Sequence, residues 1–308
     1  MNIHIIYRII IILLVILIVI NILNGYYTKR EVFTTEIPKK IWTFWDNVDI
    51  PDIVQKCINT WEKHNPNYEI TIVNKTNLSK YLPDIDFSKI KHIENSPERY
   101  SDMVRLYLLS KYGGIWCDAS IICLKPYDSW IPTMQENTSA EFIGFYIDSF
   151  TLPEFKENSP VIESWFFACT KGSIIIQDWL KEFLRISDYD TVEKYVDAVK
   201  TEGVNIQNIS SPTYLSMHVA CQKILQKGEN RPYKFSLLKA EDTAFKYLTQ
   251  NEWDSNRAIQ NILDCKDSDS NLNSNKERCN FLDSPIIKMR GIERKSMEKM
   301  DYSRVFYQ

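Results

Sequence analysis

Glycine is scarce in this chain, with eight in 308 residues, yet two of them are adjacent at Gly113-Gly114. They separate a helical pattern, YSDMVRLYLLSKY (Tyr100 to Tyr112), from a short apolar run, Ile115 to Cys117. A residue without Cβ reaches left-handed backbone at little steric cost, so the pair marks a sharp helix stop. Upstream, Ser96-Pro97 is a cap and first-turn pair. The stretch therefore predicts a capped helix, a break and a strand.

The same alternation runs through most of the chain. Strands are predicted at Lys39 to Trp45, Tyr68 to Val73, Ile115 to Cys117, Ile121 to Leu124, Glu141 to Ile147, Trp165 to Cys169 and Tyr233 to Lys239. Helices are predicted at Pro51 to His64, Asn77 to Leu82, Ser173 to Ile186, Thr191 to Lys200 and Thr213 to Gln226. Strands alternating with helices indicate an α/β domain with a mainly parallel central sheet. It would span residues 38–308, with the polar tract 264–278 as a mobile loop. There is no internal repeat.

Ahead of this domain, Ile9 to Ile20 is an unbroken Ile/Leu/Val run inside an apolar stretch from Ile3 to Leu23. About 20 such residues cross the hydrocarbon core of a bilayer. Residues 1–24 therefore read as one transmembrane signal anchor and 25–37 as a stem. A cleaved signal peptide is the rival reading, but no small-residue cleavage site follows the run. Arg8 favours an N-terminus inside, against Lys29 and Arg30 on the other flank. The expectation is a single-pass type II protein with its large domain in a lumenal or extracytoplasmic space.

A net charge of −3 gives no global argument for nucleic acid. None of the seven cysteines forms a C-x-x-C pair, which argues against a zinc site. Most read as core thiols; Cys265 and Cys279 flank the polar tract and can close it by a disulfide in an oxidising space. Asn-x-Ser/Thr sequons at Asn74, Asn77, Asn137 and Asn208 do not settle the compartment.

In open α/β sheets, ligands sit beyond the carboxyl ends of strands, and Asp118 falls at such an end. Strand alternation turns Asp118 and Ser120 the same way, as a pair of oxygens able to face a divalent cation beside a diphosphate. Asp102 and Arg105, three apart, share a helix face and offer an acceptor and a fork of donors suited to sugar hydroxyls. Read blandly, they are a surface ion pair, and Asp118 is a turn residue.

The order S-D-x-x-R, Y-G-G-I-W, D-A-S resembles the nucleotide-sugar transferases of glycosyltransferase family 32, above all their capsular polysaccharide synthesis relatives. The matching pieces are PKKIWTFW (Pro38 to Trp45), CINTWEKHNP (Cys57 to Pro66), SDMVR (Ser101 to Arg105) and KYGGIWCDASIICLKP (Lys111 to Pro126). Weaker matches are VIESWFFACTKG (Val161 to Gly172) and SPTYLSMH (Ser211 to His218). Sugar-transfer domains of large clostridial glucosylating toxins are similar.

The resemblance implies a Rossmann-like GT-A fold and a hexosyltransferase. It implies a UDP- or GDP-sugar donor, a glycan or glycoprotein acceptor and retention of anomeric configuration. It implies that Trp42 stacks on the base, that Gly114 lies against the nucleotide, and that Asp102, Arg105 and Asp118 hold donor sugar and ribose. Asp118 matches the first acid of a D-x-D motif, and Ser120 replaces the second. That departure puts dependence on Mn²⁺ or Mg²⁺ in doubt, with Asp118, Ser120 and His218 as the candidate ligands. A lone histidine on an apolar helix is also an ordinary core residue. Glu163 and Trp165 are candidates for the acceptor side. The alternative is a non-catalytic, sugar-nucleotide or glycan-binding relative that has lost its metal site.

Overall fold

The structure is a computed structural model and describes residues 36–47, 49–267, 278–302 and 305–306. The expected anchor, and all but the last two residues of the expected stem, lie outside these. Among the described residues no helix is long and apolar enough to cross a membrane.

Among the described residues eight strands form: β1 Lys40–Phe44, β2 Glu69–Val73, β3 Gly114–Cys117, β4 Ile121–Cys123, β5 Phe142–Tyr146, β6 Ile162–Cys169, β7 Phe235–Lys239 and β8 Ile286–Lys288. Six of them make one sheet in the order β2-β1-β3-β6-β5-β7, and β4 pairs separately with β8. Six helices of the described residues reach ten residues: α1 Asp52–His64, α2 Pro97–Tyr112, α3 Ile174–Leu184, α4 Val192–Thr201, α5 Ser216–Lys227 and α6 Ser255–Asp267. The first five fall where periodicity places them, with ends shifted by a few residues.

The sheet is mixed. Pairs β1-β2, β1-β3 and β5-β7 are parallel, but β6 runs antiparallel to both β3 and β5. The link from β5 to β6 holds only two single 3₁₀ turns, Asp148–Phe150 and Pro153–Phe155. Without a crossover helix to carry the chain back across the sheet, the next strand returns antiparallel.

The pleat sorts side chains to two apolar layers. Trp42, Trp116 and Phe167 pack with α2, α3 and α5, while Ile41, Ile115 and Ala168 face the α1 side. Helix α2 starts as expected, with Ser96 Oγ accepting from the Arg99 amide at 3.3 Å. It ends at Gly113, whose φ is 66°.

The polar tract departs from expectation, because α6 continues through Asp267 and takes in Asp264 and Cys265. Residues 268–277 lie outside the described set. Cys265 and Cys279 form a disulfide, while Cys57, Cys117, Cys123, Cys169 and Cys221 are free and buried. Burial pushes the Cys57 and Cys123 thiols up to about 12, as befits unreactive core sulfur. The disulfide spans 14 residues of sequence. Replacing both of its cysteines by alanine is expected to lower unfolding stability by about 3 kcal/mol, the scale for a loop of that length. An unchanged denaturant midpoint in the double variant would refute this.

Candidate functional site

A cavity of about 530 Å³ opens at the carboxyl ends of β1 and β3. Phe44 to Asn47 continue from β1 into its wall, Asp118 to Ser120 from β3, and Ser101, Asp102 and Arg105 come from the middle of α2. His218 near the start of α5, Tyr214, Ser164, Lys288 and Arg294 also line it, with Pro97, Glu98, Leu215 and Gly291. A smaller hollow of about 390 Å³ beside α1 and β4 offers Lys56 and Lys63 but no carboxylate.

Arg105 organises the floor, with only 5% of its side chain exposed. Its guanidinium stands 3.2 Å from Asp102 Oδ1 and 3.3 Å from Asp118 Oδ1, and donates to the Ser164 carbonyl. It lies over the Trp116 ring, 4.8 Å from the centroid. Buried charge is tolerated only when paired and hydrogen-bonded, and this arginine bridges two carboxylates as well as stacking on an indole.

Asp118 gathers more. Its amide donates to the Trp165 carbonyl at 2.8 Å, extending the β3-β6 pairing by one residue. Trp116 Nε1 donates to Oδ1 at 2.9 Å, and Lys288 Nζ donates to Oδ2 at 2.8 Å. Lys288 also donates to Ser120 Oγ at 2.9 Å, so Asp118 and Ser120 do share a face.

The two carboxyls are driven apart. Burial raises Asp102, only partly offset by Arg105 and His218. Burial also opposes charge on Asp118, but Lys288 and Arg105 outweigh it and hold this group below the ordinary range. Near neutral pH Asp118 is the firmly ionised member.

The structure thus brings Asp102, Arg105, Asp118, Ser120 and His218 to one cavity, and keeps Trp42 and Gly114 out of it. Trp42 is 2% exposed. Its Nε1 donates to the Gly113 carbonyl at 3.1 Å and its ring packs on Tyr81 and Tyr112. Strand alternation turns it into the helical layer, so it has no face for a base; Trp45, just past the strand, does line the cavity.

Gly114 abuts β1: a Cβ there would come 2.7 Å from the Lys40 carbonyl oxygen. Its space is filled by the neighbouring strand, and it does not line the cavity. Glu163 stands 3.6 Å from His218 Nε2, and Trp165 packs on Phe145 and Phe245. Neither lines the cavity, whereas Ser164 between them does.

The metal expectation fares differently. Among the described residues no group of three or more His, Cys, Asp or Glu is placed to hold an ion. Asp118 and Ser120 converge instead on an ammonium group, and His218 is paired with Glu163. These residues do not fit a divalent cation.

Sequence reasoning missed Lys288, Tyr214, Trp45 and Arg294. Lys288 left one faint signal, a lone lysine inside the apolar run PIIKM (Pro285 to Met289). Arg294 sits over the Trp45 ring at 5.1 Å, a pairing with no local pattern behind it.

Fold and site together define an α/β domain with a pocket of fixed, paired charge at its strand ends. The sequence model of one family, described as capsular polysaccharide synthesis protein, matches residues 16–200. The chain belongs to the capsular polysaccharide synthesis protein family.

Among curated proteins it is similar to an O-glycosyltransferase of Annulohypoxylon truncatum. The two are 27% identical over 165 residues, 49% of this chain and 38% of that protein. It is also similar to the initiation-specific alpha-1,6-mannosyltransferase of Candida albicans, 27% identical over 125 residues, 36% and 32% of the two chains. The chain spans about two fifths of the length of the first curated relatives it matches. Among solved structures, the UDP-bound glycosyltransferase domain from the YGT toxin aligns at 10% identity and a TM-score of 0.42, over 87% of this chain and 100% of that domain. A glycosyltransferase involved in the glycosylation of the major capsid of PBCV-1 aligns at 12% identity and a TM-score of 0.39, over 85% and 98%.

Proposed function

We propose that the chain is a GT-A-type glycosyltransferase that moves a hexose from a UDP- or GDP-sugar to a glycan or glycoprotein acceptor. The observation that carries this reading is the convergence of Asp102, Arg105 and Asp118 on one cavity at the strand ends. The named relatives transfer sugars, which favours the same class of reaction.

Asp102 has Oδ1 on Arg105 and keeps Oδ2 for a sugar hydroxyl. Asp118 has spent three acceptor sites on Trp116, Arg105 and Lys288, which leaves a fourth for a ribose or sugar hydroxyl. Trp45 and Tyr214 are the aromatic surfaces open to a base. The acceptor oxygen bonds to C1 on the face from which the diphosphate departs. The C1–O electron pair leaves with the diphosphate, which also takes the acceptor's proton. Configuration is then retained without a protein nucleophile, and the protein's work is positioning and charge stabilisation.

By the same reading, the N-terminal apolar run tethers the domain to a membrane, on a lumenal or extracytoplasmic face. The Cys265–Cys279 disulfide is at home in an oxidising space.

The test is nucleotide release by the full chain from a panel of UDP- and GDP-hexoses, with and without candidate acceptors. Asp102→Asn is expected to cut release by about 10²-fold, since a misheld donor costs that much. It should change stability by no more than about 1 kcal/mol, because Arg105 keeps Asp118 as its partner. Release unaffected by this substitution would remove the cavity from the reaction. Binding without release from any donor would favour a non-catalytic sugar-nucleotide binder.

A further inference from the structure

We propose that Lys288 takes the place of a divalent cation in this site and binds the diphosphate of the donor directly. The inference rests on the nucleotide-sugar reading above. Three observations lead to it.

The first is position. Lys288 Nζ is 2.8 Å from Asp118 Oδ2 and 2.9 Å from Ser120 Oγ, between the two oxygens that a cation bound by this motif would use. The rest of the shell is already committed. Asp118 Oδ1 accepts from Trp116 and Arg105, and Ser120 Oγ donates its own hydrogen to the Met289 carbonyl at 2.8 Å. A divalent ion entering here would meet an ammonium and a guanidinium within a few ångströms, and the two carboxylates beside them, Asp118 and Asp102, already offset those two cations.

The second is charge balance. Two acids with a divalent cation sum to zero. One acid with a serine and a lysine also sums to zero. Ser120 in place of the second acid and Lys288 in place of the metal are therefore one compensated change rather than a lost site. A serine without the lysine would leave a diphosphate with less positive charge to meet; a lysine with two acids would leave the site net negative and repel the phosphate.

The third is rigidity. Lys288 lies on β8, paired opposite Ile121 of β4. Its amide donates to the Ala244 carbonyl at 3.1 Å, and its own carbonyl accepts from the Tyr247 hydroxyl at 2.9 Å. Its side chain is 11% exposed and lines the cavity. Two of its three hydrogens are held by Asp118 and Ser120; the third has no protein partner among the described residues and is left for a phosphate oxygen. A lysine pinned in this way is preorganised for the charge that develops as the C1–O bond breaks and its electron pair passes to the diphosphate.

The experiment is calorimetric titration of the full chain with UDP, GDP and the parent nucleosides, in EDTA and then in Mn²⁺ or Mg²⁺. The wild type is expected to bind one diphosphate with the same Kd, within about twofold, in all three conditions. Lys288→Met is expected to weaken that diphosphate by at least about tenfold and to leave the nucleoside unchanged, because only a charged hydrogen bond to phosphate is lost. Tenfold or greater tightening by metal in the wild type overturns the proposal, and needs no variant to fold. Equal loss of nucleoside and diphosphate in Lys288→Met, or no loss of either, overturns it too. Metal-dependent binding leaves the transferase reading standing, whereas no binding of either diphosphate under any condition sinks both.

Discussion

Asp118→Asn is expected to abolish measurable transfer, by about 10³-fold, and to cost about 3 kcal/mol of stability at neutral pH. The catalytic loss combines a misplaced donor with a disrupted charge cluster. The stability loss follows from what Asp118 holds. It is the common partner of Arg105 and Lys288, both nearly buried, and neutralising it leaves the Lys288 ammonium without a carboxylate while Arg105 falls back on Asp102 alone. An amide keeps the shape and can still accept from Trp116, so the effect isolates charge from packing.

The loss should depend on pH in a defined direction. Lys288 and Arg105 hold the Asp118 carboxyl below its ordinary value despite burial. A group depressed on folding stabilises above its unfolded pKa, about 3.9 for aspartate. That stabilisation disappears as pH falls through the lower, folded value. The stability difference between wild type and Asp118→Asn should therefore be constant above about pH 5 and shrink below about pH 4. Asp102, raised by burial, protonates first and works in the opposite sense. Denaturant unfolding of both proteins across this range reads the difference; one that grows on acidification would mean Asp118 is not held by these cations.

Gly114→Ala is expected to cost at least about 3 kcal/mol in stability, from positive-φ strain and overpacking together. Gly114 has φ 96°, and its added Cβ would meet the Lys40 carbonyl oxygen at 2.7 Å and Trp42 Nε1 at 3.4 Å. The first contact is backbone on the neighbouring strand, so it cannot rotate away. Relief requires β3 to move off β1, which shifts Asp118 at its end. The measurement is the denaturant midpoint of the variant alongside its nucleotide affinity. Wild-type stability with weakened nucleotide binding would return Gly114 to the role of ligand contact that the family resemblance suggested.

Much of this site was legible because it is local. Ser96-Pro97 and Gly113 mark a helix whose ends are set by nearest-neighbour hydrogen bonds. Within it, the three-residue spacing of Asp102 and Arg105 makes them neighbours in any helix. Asp118 and Ser120 share a face because strands alternate. None of these inferences needed to know what packs on what.

Where sequence reasoning went astray, a choice between equivalent local options was settled by packing. Trp42 and Trp45 are both tryptophans near one strand end. The helix layer against β1 buries the first and leaves the second at the cavity. Gly114 carries the same conformational freedom whether it meets a ligand or a strand; only the position of Lys40 across from it decides.

The chain's own pattern determined the α/β class, the capped helix with its acid and arginine, and the paired oxygens at the strand end, since each follows from periodicity and backbone sterics over a few residues. Tertiary structure alone decided that the cation facing those oxygens is Lys288. It lies 170 residues from Asp118 and arrives through the pairing of β8 with β4, and no local rule couples positions so far apart.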